Sequence, residues 1–234
     1  MNPTDSLRGR DSTLVKLLSW GRRSSRDVWG RWPGEAYREA RYQHRLATVS
    51  QQLAQALHAC PASSIQVTSL CAGDGRDAIG TLANHPRREQ VRATLVELHS
   101  TSVANGRAHA ERVGLDQIVT FIEADGTQYA TYRDIPPANA LLVCGTWGHV
   151  PPHQRDEMMR AIKGLLARDG IVIWTRGVAK GMKRLDEITS LFTPREWQEV
   201  QVELTQDRQF AVASYRFVGA ETMLPAEGTI FDFC

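Results

Sequence analysis

The chain has few of the residues that fix metals, disulfide frameworks or membrane anchors. Cysteine occurs only at Cys60, Cys71, Cys144 and Cys234 among 234 residues, with no zinc-site spacing. His99, His109, His149 and His153 make no HExxH or paired-cysteine pattern, so no metal is expected. No apolar run approaches the roughly 18 residues that a membrane helix needs. Met1 to Arg8 lack the apolar centre of a signal peptide. With Cys71 and Cys144 in expected buried strands, these absences point to reduced thiols and a cytoplasmic protein. The GxGxxG signature of dinucleotide oxidoreductases is missing, as are repeats, low-complexity segments and any long linker.

Net charge is also nearly absent, but the small value of +2 hides an asymmetry. Residues 1–45 carry ten Lys or Arg against five acids, so this segment is +5 and the remainder −3. A solvated helical surface accounts for such a segment, and no nucleic-acid module accompanies it. A small-molecule partner is therefore expected, with neither nucleic acid nor membrane. The oligomeric state stays open, a homodimer included. The hydrophobic fraction of 42% and charged fraction of 23% are those of an ordinary globular α/β chain.

What is present centres on Val67-Thr68-Ser69-Leu70-Cys71-Ala72-Gly73-Asp74-Gly75-Arg76-Asp77. Val67–Cys71 reads as a buried parallel strand. Gly73 and Gly75 allow a sharp turn and a close ligand approach, and Asp77 is expected to cap the helix that follows. Three more strands, over 91–98, 118–126 and 138–146, end in Glu97-Leu98, Asp125-Gly126 and Gly145-Thr146. Glu97 lies about 20 residues past the glycine turn, where a nucleotide-binding βαβ unit places its ribose acid. In an open α/β sheet these strand ends share one ligand-binding rim. A fifth strand at 171–175 and an alternating hairpin at 197–205 and 210–218 complete the pattern.

In these motifs, residues 60 to 220 resemble the class I S-adenosylmethionine-dependent methyltransferases. The resemblance implies a Rossmann-like, mostly parallel seven-stranded sheet, order 3-2-1-4-5-7-6, flanked by helices. It implies S-adenosylmethionine as cofactor. Glu97 would accept the ribose hydroxyls, and Asp125 with Gly126 would meet the adenine. Leu98, Gly145 and Thr146 would line the same pocket. Amides of Ala72, Gly73 and Asp74 would face the methionine carboxylate. The family often has an acid where Ser69 stands and a glycine where Cys71 stands. It also has, in members that methylate nucleic-acid amines, an Asn/Asp-Pro-Pro-aromatic motif, where this chain reads Cys144-Gly145-Thr146-Trp147.

Residues 1–60 are expected to form a helical lid before a catalytic domain at 61–234. Three of the six tryptophans fall between residues 20 and 34. A helix from Glu35 to about His58 would put Tyr42, Leu46, Val49, Leu53 and Leu57 on one face. Trp29, Tyr37 and Tyr42 could pack the lid or close over a sulfonium, which an aromatic face stabilises by about 0.5–2 kcal/mol.

For the acceptor side the candidates are His149, Trp147 and Arg176, at the rim beyond strands four and five. His149 is the neutral-pH base among them. Three functions fit. The first is methyl transfer to a small molecule, of the kind found in specialised metabolism. The second is cyclisation of the cofactor's own aminobutyrate chain, as in azetidine-2-carboxylate synthases, with Trp147 in the aromatic cage. The third is a non-catalytic cofactor-binding scaffold.

Overall fold

The computed structural model describes residues 40–234. Helix α1 (Ala40–Ala59) precedes β1 (Ile65–Ser69), α2 (Arg76–Ala83), β2 (Val91–Glu97), α3 (Ser100–Arg112) and β3 (Val119–Glu123). Then come β4 (Ala138–Val143), α4 (Arg155–Leu165), β5 (Leu166–Gly177), α5 (Lys183–Thr189), β6 (Trp197–Leu204) and β7 (Phe210–Phe217). One sheet contains all seven strands in the order β3-β2-β1-β4-β5-β7-β6, as the sequence motifs imply. The first five strands pair in parallel, and β7 inserts antiparallel between β5 and β6.

Strand side chains alternate across the sheet, so each face gathers its own core. Ala140, Leu142, Ile171 and Ile173 point to the face covered by α1, α2 and α3. Leu141, Val143, Val172 and Trp174 point to the other, where α4, α5 and the aromatic cluster of Phe192, Trp197 and Phe217 pack. Helix α1 buries Val49, Leu53 and Leu57 in the same core as Ile65 and Val67. Residues 40–59 of the expected appendage thus share the core of the sheet, while residues 1–39 lie outside the described residues. The buried face of α1 is turned slightly from the expected one. Tyr42 and Leu46 are half-exposed, and Arg45, Thr48 and Gln52 are buried in their stead.

Some boundaries differ for identifiable reasons. Strand β1 ends at Ser69, because the chain turns at Cys71, which adopts φ +48°. Cys71 and Cys144 therefore lie just past strand ends, not inside strands. Strand β5 begins five residues early, at Leu166. Its register with β4 shifts between Ala138 and Ala140, where Asp169 takes φ +60°. Strand β6 carries a second irregularity between Glu199 and Gln201. Asp77 does not cap α2. The cap of α2 is Gly75, in the left-handed conformation, with no side-chain hydrogen bond.

Gly75 is required twice over. Its φ of +68° disfavours any L side chain, and an added Cβ would lie 2.5 Å from Leu95 Cδ1 and 2.8 Å from Phe121 Cζ. Gly75→Ala should therefore lower stability by about 2–4 kcal/mol, from backbone strain and overpacking together. Urea unfolding monitored by circular dichroism checks this; a midpoint equal to wild type would refute it.

Candidate functional site

The strand ends enclose a cavity of about 350 Å³, within the range of small-molecule sites. It lies at the carboxyl rim of β1, β2, β3 and β4, where parallel α/β sheets bind ligands. Of the expected cofactor residues, Ala72, Gly73, Glu97, Leu98, Asp125 and Gly126 line it. Gly145 and Thr146 line it from the other side, together with His149. The spacing of acids and glycines along the chain thus brings these groups together.

Glu97 is buried and its carboxylate bridges two loops. Its Oε2 accepts the Gly73 amide at 2.8 Å, and its Oε1 accepts the His99 amide at 2.9 Å. Each oxygen retains a further lone pair for a ligand hydroxyl. Asp125 Oδ1 accepts from the amide and hydroxyl of Thr127, at 3.0 and 2.7 Å. Beneath it the Gly126 carbonyl accepts the Tyr132 hydroxyl at 2.8 Å. An added Cβ at Gly126 would come within 3.2 Å of Cys71 Sγ and 3.1 Å of the Tyr132 hydroxyl, so this floor is tightly packed.

The glycine loop behaves differently from the expectation. The Ala72 amide donates to Val96 O at 2.9 Å and the Gly73 amide to Glu97, so neither is directed at an incoming carboxylate. Asp74 does not line the cavity; its carboxylate is paired with the Arg76 guanidinium. A cation stands nearby instead. Arg45 reaches the cavity from α1, with Nη2 3.9 Å from Asp77 Oδ1. An added Cβ at Gly145 would lie 3.4 Å from Arg45 Nη1. Burial raises the pKa of Asp77, an effect that Arg45 opposes.

Three further expected residues do not line the cavity. Trp147 is fully buried in the core against Trp174, with ring centroids 6.5 Å apart, and does not line the cavity. Tyr42 also stays off the cavity, beside Phe210 at 5.5 Å and under the Arg45 guanidinium. Arg176 lies outside the cavity, next to Gly148. Trp29 and Tyr37 fall outside the described residues. Thr175 supports the site indirectly, its hydroxyl accepting the Gly145 amide at 2.8 Å.

The C-terminal segment forms a wall that sequence reasoning missed. Phe231, Asp232 and Phe233 line the cavity, and Ile230 and Phe231 are fully buried. Two clips hold this segment. Gln154 donates to Asp232 Oδ2 and accepts the Asp232 amide, both at 2.7 Å. His149 stacks on Phe233 with centroids 4.6 Å apart, and its Nδ1 lies 2.7 Å from Cys234 O. That oxygen can only accept, so Nδ1 carries the hydrogen and Nε2 is the basic nitrogen of the neutral ring. Burial holds the His149 pKa below its ordinary value, and the positive charge of Arg176 adds to this; the Cys234 contact opposes them. The signal for this wall was the apolar Ile230-Phe231-Asp232-Phe233 stretch. The signal for Arg45 was its position four residues before Val49, on the buried helical face.

The residues present fit an adenosyl cofactor. Glu97 and Asp125 face one side of the cavity, and the Arg45–Asp77 pair the other. The Thr146 hydroxyl is buried on its wall without a hydrogen-bond partner among the described residues. No group of metal-ligating side chains occurs among the described residues. No helix among them is long and apolar enough to cross a membrane.

Comparison with known proteins agrees with this fold. The family model described as "Putative methyltransferase" matches residues 29–178. No curated protein matches the sequence significantly. Among solved structures, magnesium protoporphyrin IX methyltransferase (ChlM) from Synechocystis PCC 6803, with bound S-adenosylmethionine, superposes with a TM-score of 0.59. It is 13% identical, over 91% of this chain and 100% of that one. An S-adenosylmethionine-dependent methyltransferase from Geobacter sulfurreducens, in complex with S-adenosylhomocysteine, gives a TM-score of 0.52 at 19% identity, over 69% and 68% of the two chains. The cyclase SpnF gives 0.52 at 12% identity, over 75% and 82%. At these identities the likeness concerns the fold.

The cavity thiols supply a test. Burial, with Glu97 and Asp125 adding to it, pushes the Cys71 thiol up to about 12, and burial pushes Cys144 higher than usual as well. At pH 8 a pKa of about 12 leaves roughly one thiolate in ten thousand at Cys71. Iodoacetamide at pH 8 should therefore label exposed Cys234 and spare Cys71 and Cys144, as read by peptide mass spectrometry. Labelling of all three at similar rates would contradict the burial described.

Proposed function

This chain belongs to the methyltransferase family whose model matches it, and from that premise we propose that it binds S-adenosylmethionine and transfers its methyl group to a small molecule. The observation that carries the reading is the pair of acids, Glu97 and Asp125, on one cavity at the ends of β2 and β3. When bound, S-adenosylmethionine supplies a methyl carbon made electrophilic by the adjoining sulfonium. Glu97 would accept the ribose hydroxyls, and Asp125 the adenine amine. Arg45 would pair with the amino-acid carboxylate, a task for which the loop amides are already engaged. The C-terminal wall of Phe231 and Phe233 bounds the cavity on one side and supports an acceptor of small size.

Binding can be tested calorimetrically. Glu97→Ala should weaken S-adenosylmethionine by roughly 10–100-fold, the worth of charge-assisted hydrogen bonds, and Asp125→Asn should weaken it by less. Wild-type affinity in both folded variants would end this reading.

His149 is the base proposed for an acceptor that carries a proton. Its depressed pKa keeps the ring neutral at pH 7, so activity should be level above neutrality. It should fall only at pH values below the ordinary histidine range, where the ring protonates. A pH–rate profile checks this: His149→Gln should lower kcat and remove the acidic limb. An unchanged limb in the variant would assign the titration to another group.

Cyclisation of the cofactor is the second reading. Trp147 gives it no support, being buried in the core, but the Phe231 and Phe233 faces on the cavity wall do. Incubation with S-adenosylmethionine alone separates the two: methylthioadenosine without an acceptor favours cyclisation, and turnover only on adding an acceptor favours methyl transfer.

A further inference from the structure

Near His149, outside the cavity, the guanidinium of Arg176 lies within electrostatic reach of Arg155, Arg184 and Glu187. Arg176 ends β5, Arg155 begins α4 and Arg184 lies in the first turn of α5. Glu187 pairs with Arg155 at 3.2 Å, and among the described residues Arg176 and Arg184 have no ion pair of their own. The Nε atoms of Arg176 and Arg155 are both buried, and neither has a hydrogen-bond partner among the described residues. A buried donor with no acceptor is costly, and two of them beside each other create a demand for one. An added Cβ at Gly148 would lie 3.2 Å from Arg176 Nη1, so the group abuts the loop that carries His149.

We propose that Arg176, Arg155 and Arg184 form the docking point for an anionic group on the acceptor, a carboxylate or a phosphate. This assignment rests on the methyl-transfer reading of the adjoining cavity. The planar fork of a guanidinium presents parallel donors that match the oxygen pair of either anion. An acceptor anchored there extends past His149 toward the cavity, its charged end outside and its reacting atom inside. The arrangement selects acceptors by charge at one end and by the aromatic wall of Phe231 and Phe233 at the other. The mutual repulsion of the three cations supports it: burial first, and then Arg184 and Arg155, lower the pKa of Arg176, while Glu187 partly offsets them.

The test is isothermal titration of the full chain with inorganic phosphate and, separately, with benzoate, at low ionic strength. Saturable binding of either, on the order of millimolar, is expected. It should weaken about tenfold or more in Arg176→Gln and remain unchanged in Arg168→Gln, an exposed control. Binding of phosphate alone marks a phosphorylated acceptor and binding of benzoate alone a carboxylic acid. Arg184→Gln, at a half-exposed position, serves if Arg176→Gln misfolds by circular dichroism. No saturable binding of either anion, or wild-type binding by the folded variants, overturns the proposal. Affinity of Arg176→Gln for S-adenosylmethionine should match wild type; a matching loss there would move Arg176 into the cofactor site and also overturn it. Failure of wild type to bind S-adenosylmethionine is a separate result, and it leaves the anion titration to be judged by itself.

Discussion

A buried carboxylate must find donors, and Glu97 finds two in the backbone. The amides of Gly73 and His99 belong to the loops that follow β1 and β2, so one side chain ties the two loops at the sheet rim. The tie works in both directions. It solvates the charge of Glu97 inside the protein, and it satisfies two amides that would otherwise face the cavity without partners. With those loops fixed, Ala72, Leu98 and the Asp125 turn converge on one space. The left-handed turn at Cys71 and the cap at Gly75 are the backbone's part of the same constraint.

A buried ion pair organises the opposite wall. Arg45 on α1 faces Asp77 on α2, against the Gly145 turn. The cavity therefore has Glu97 and Asp125 at its β2–β3 side and the Arg45–Asp77 pair at its β1–β4 side. The site's chemistry follows from which helix and which strand end each charge occupies, more than from any single motif.

Much of the fold was legible because its signals are local. Short apolar strands, the Asp125-Gly126 and Gly145-Thr146 turns, the hairpin of β6 and β7 and the order of acids all depend on neighbours in sequence. The misreadings arose where long-range packing decides. Nothing near Trp147 distinguishes an indole that faces a ligand from one that meets Trp174 across the core. Asp77 has the residue type of a cap, but Gly75 turns the chain first, and the side chain is left to face Arg45. Helical periodicity marked one apolar face on α1, yet a hydrophobic template passes over Arg45, the charged member of the buried face. The wall from Ile230 to Phe233 is too short for a periodic signal, and its role depends on His149 and Gln154, some 80 residues earlier in the chain.

Among the described residues, strand β6 is the margin of the sheet on the hairpin side. Its irregularity between Glu199 and Gln201 interrupts the regular run of backbone donors and acceptors there, and Glu199 and Glu203 lie along the same strand. A second molecule aligned on this margin would meet a broken template and set like charges side by side. The same kink that disturbs pairing with β7 thus guards the protein against lengthening its sheet into a fibre.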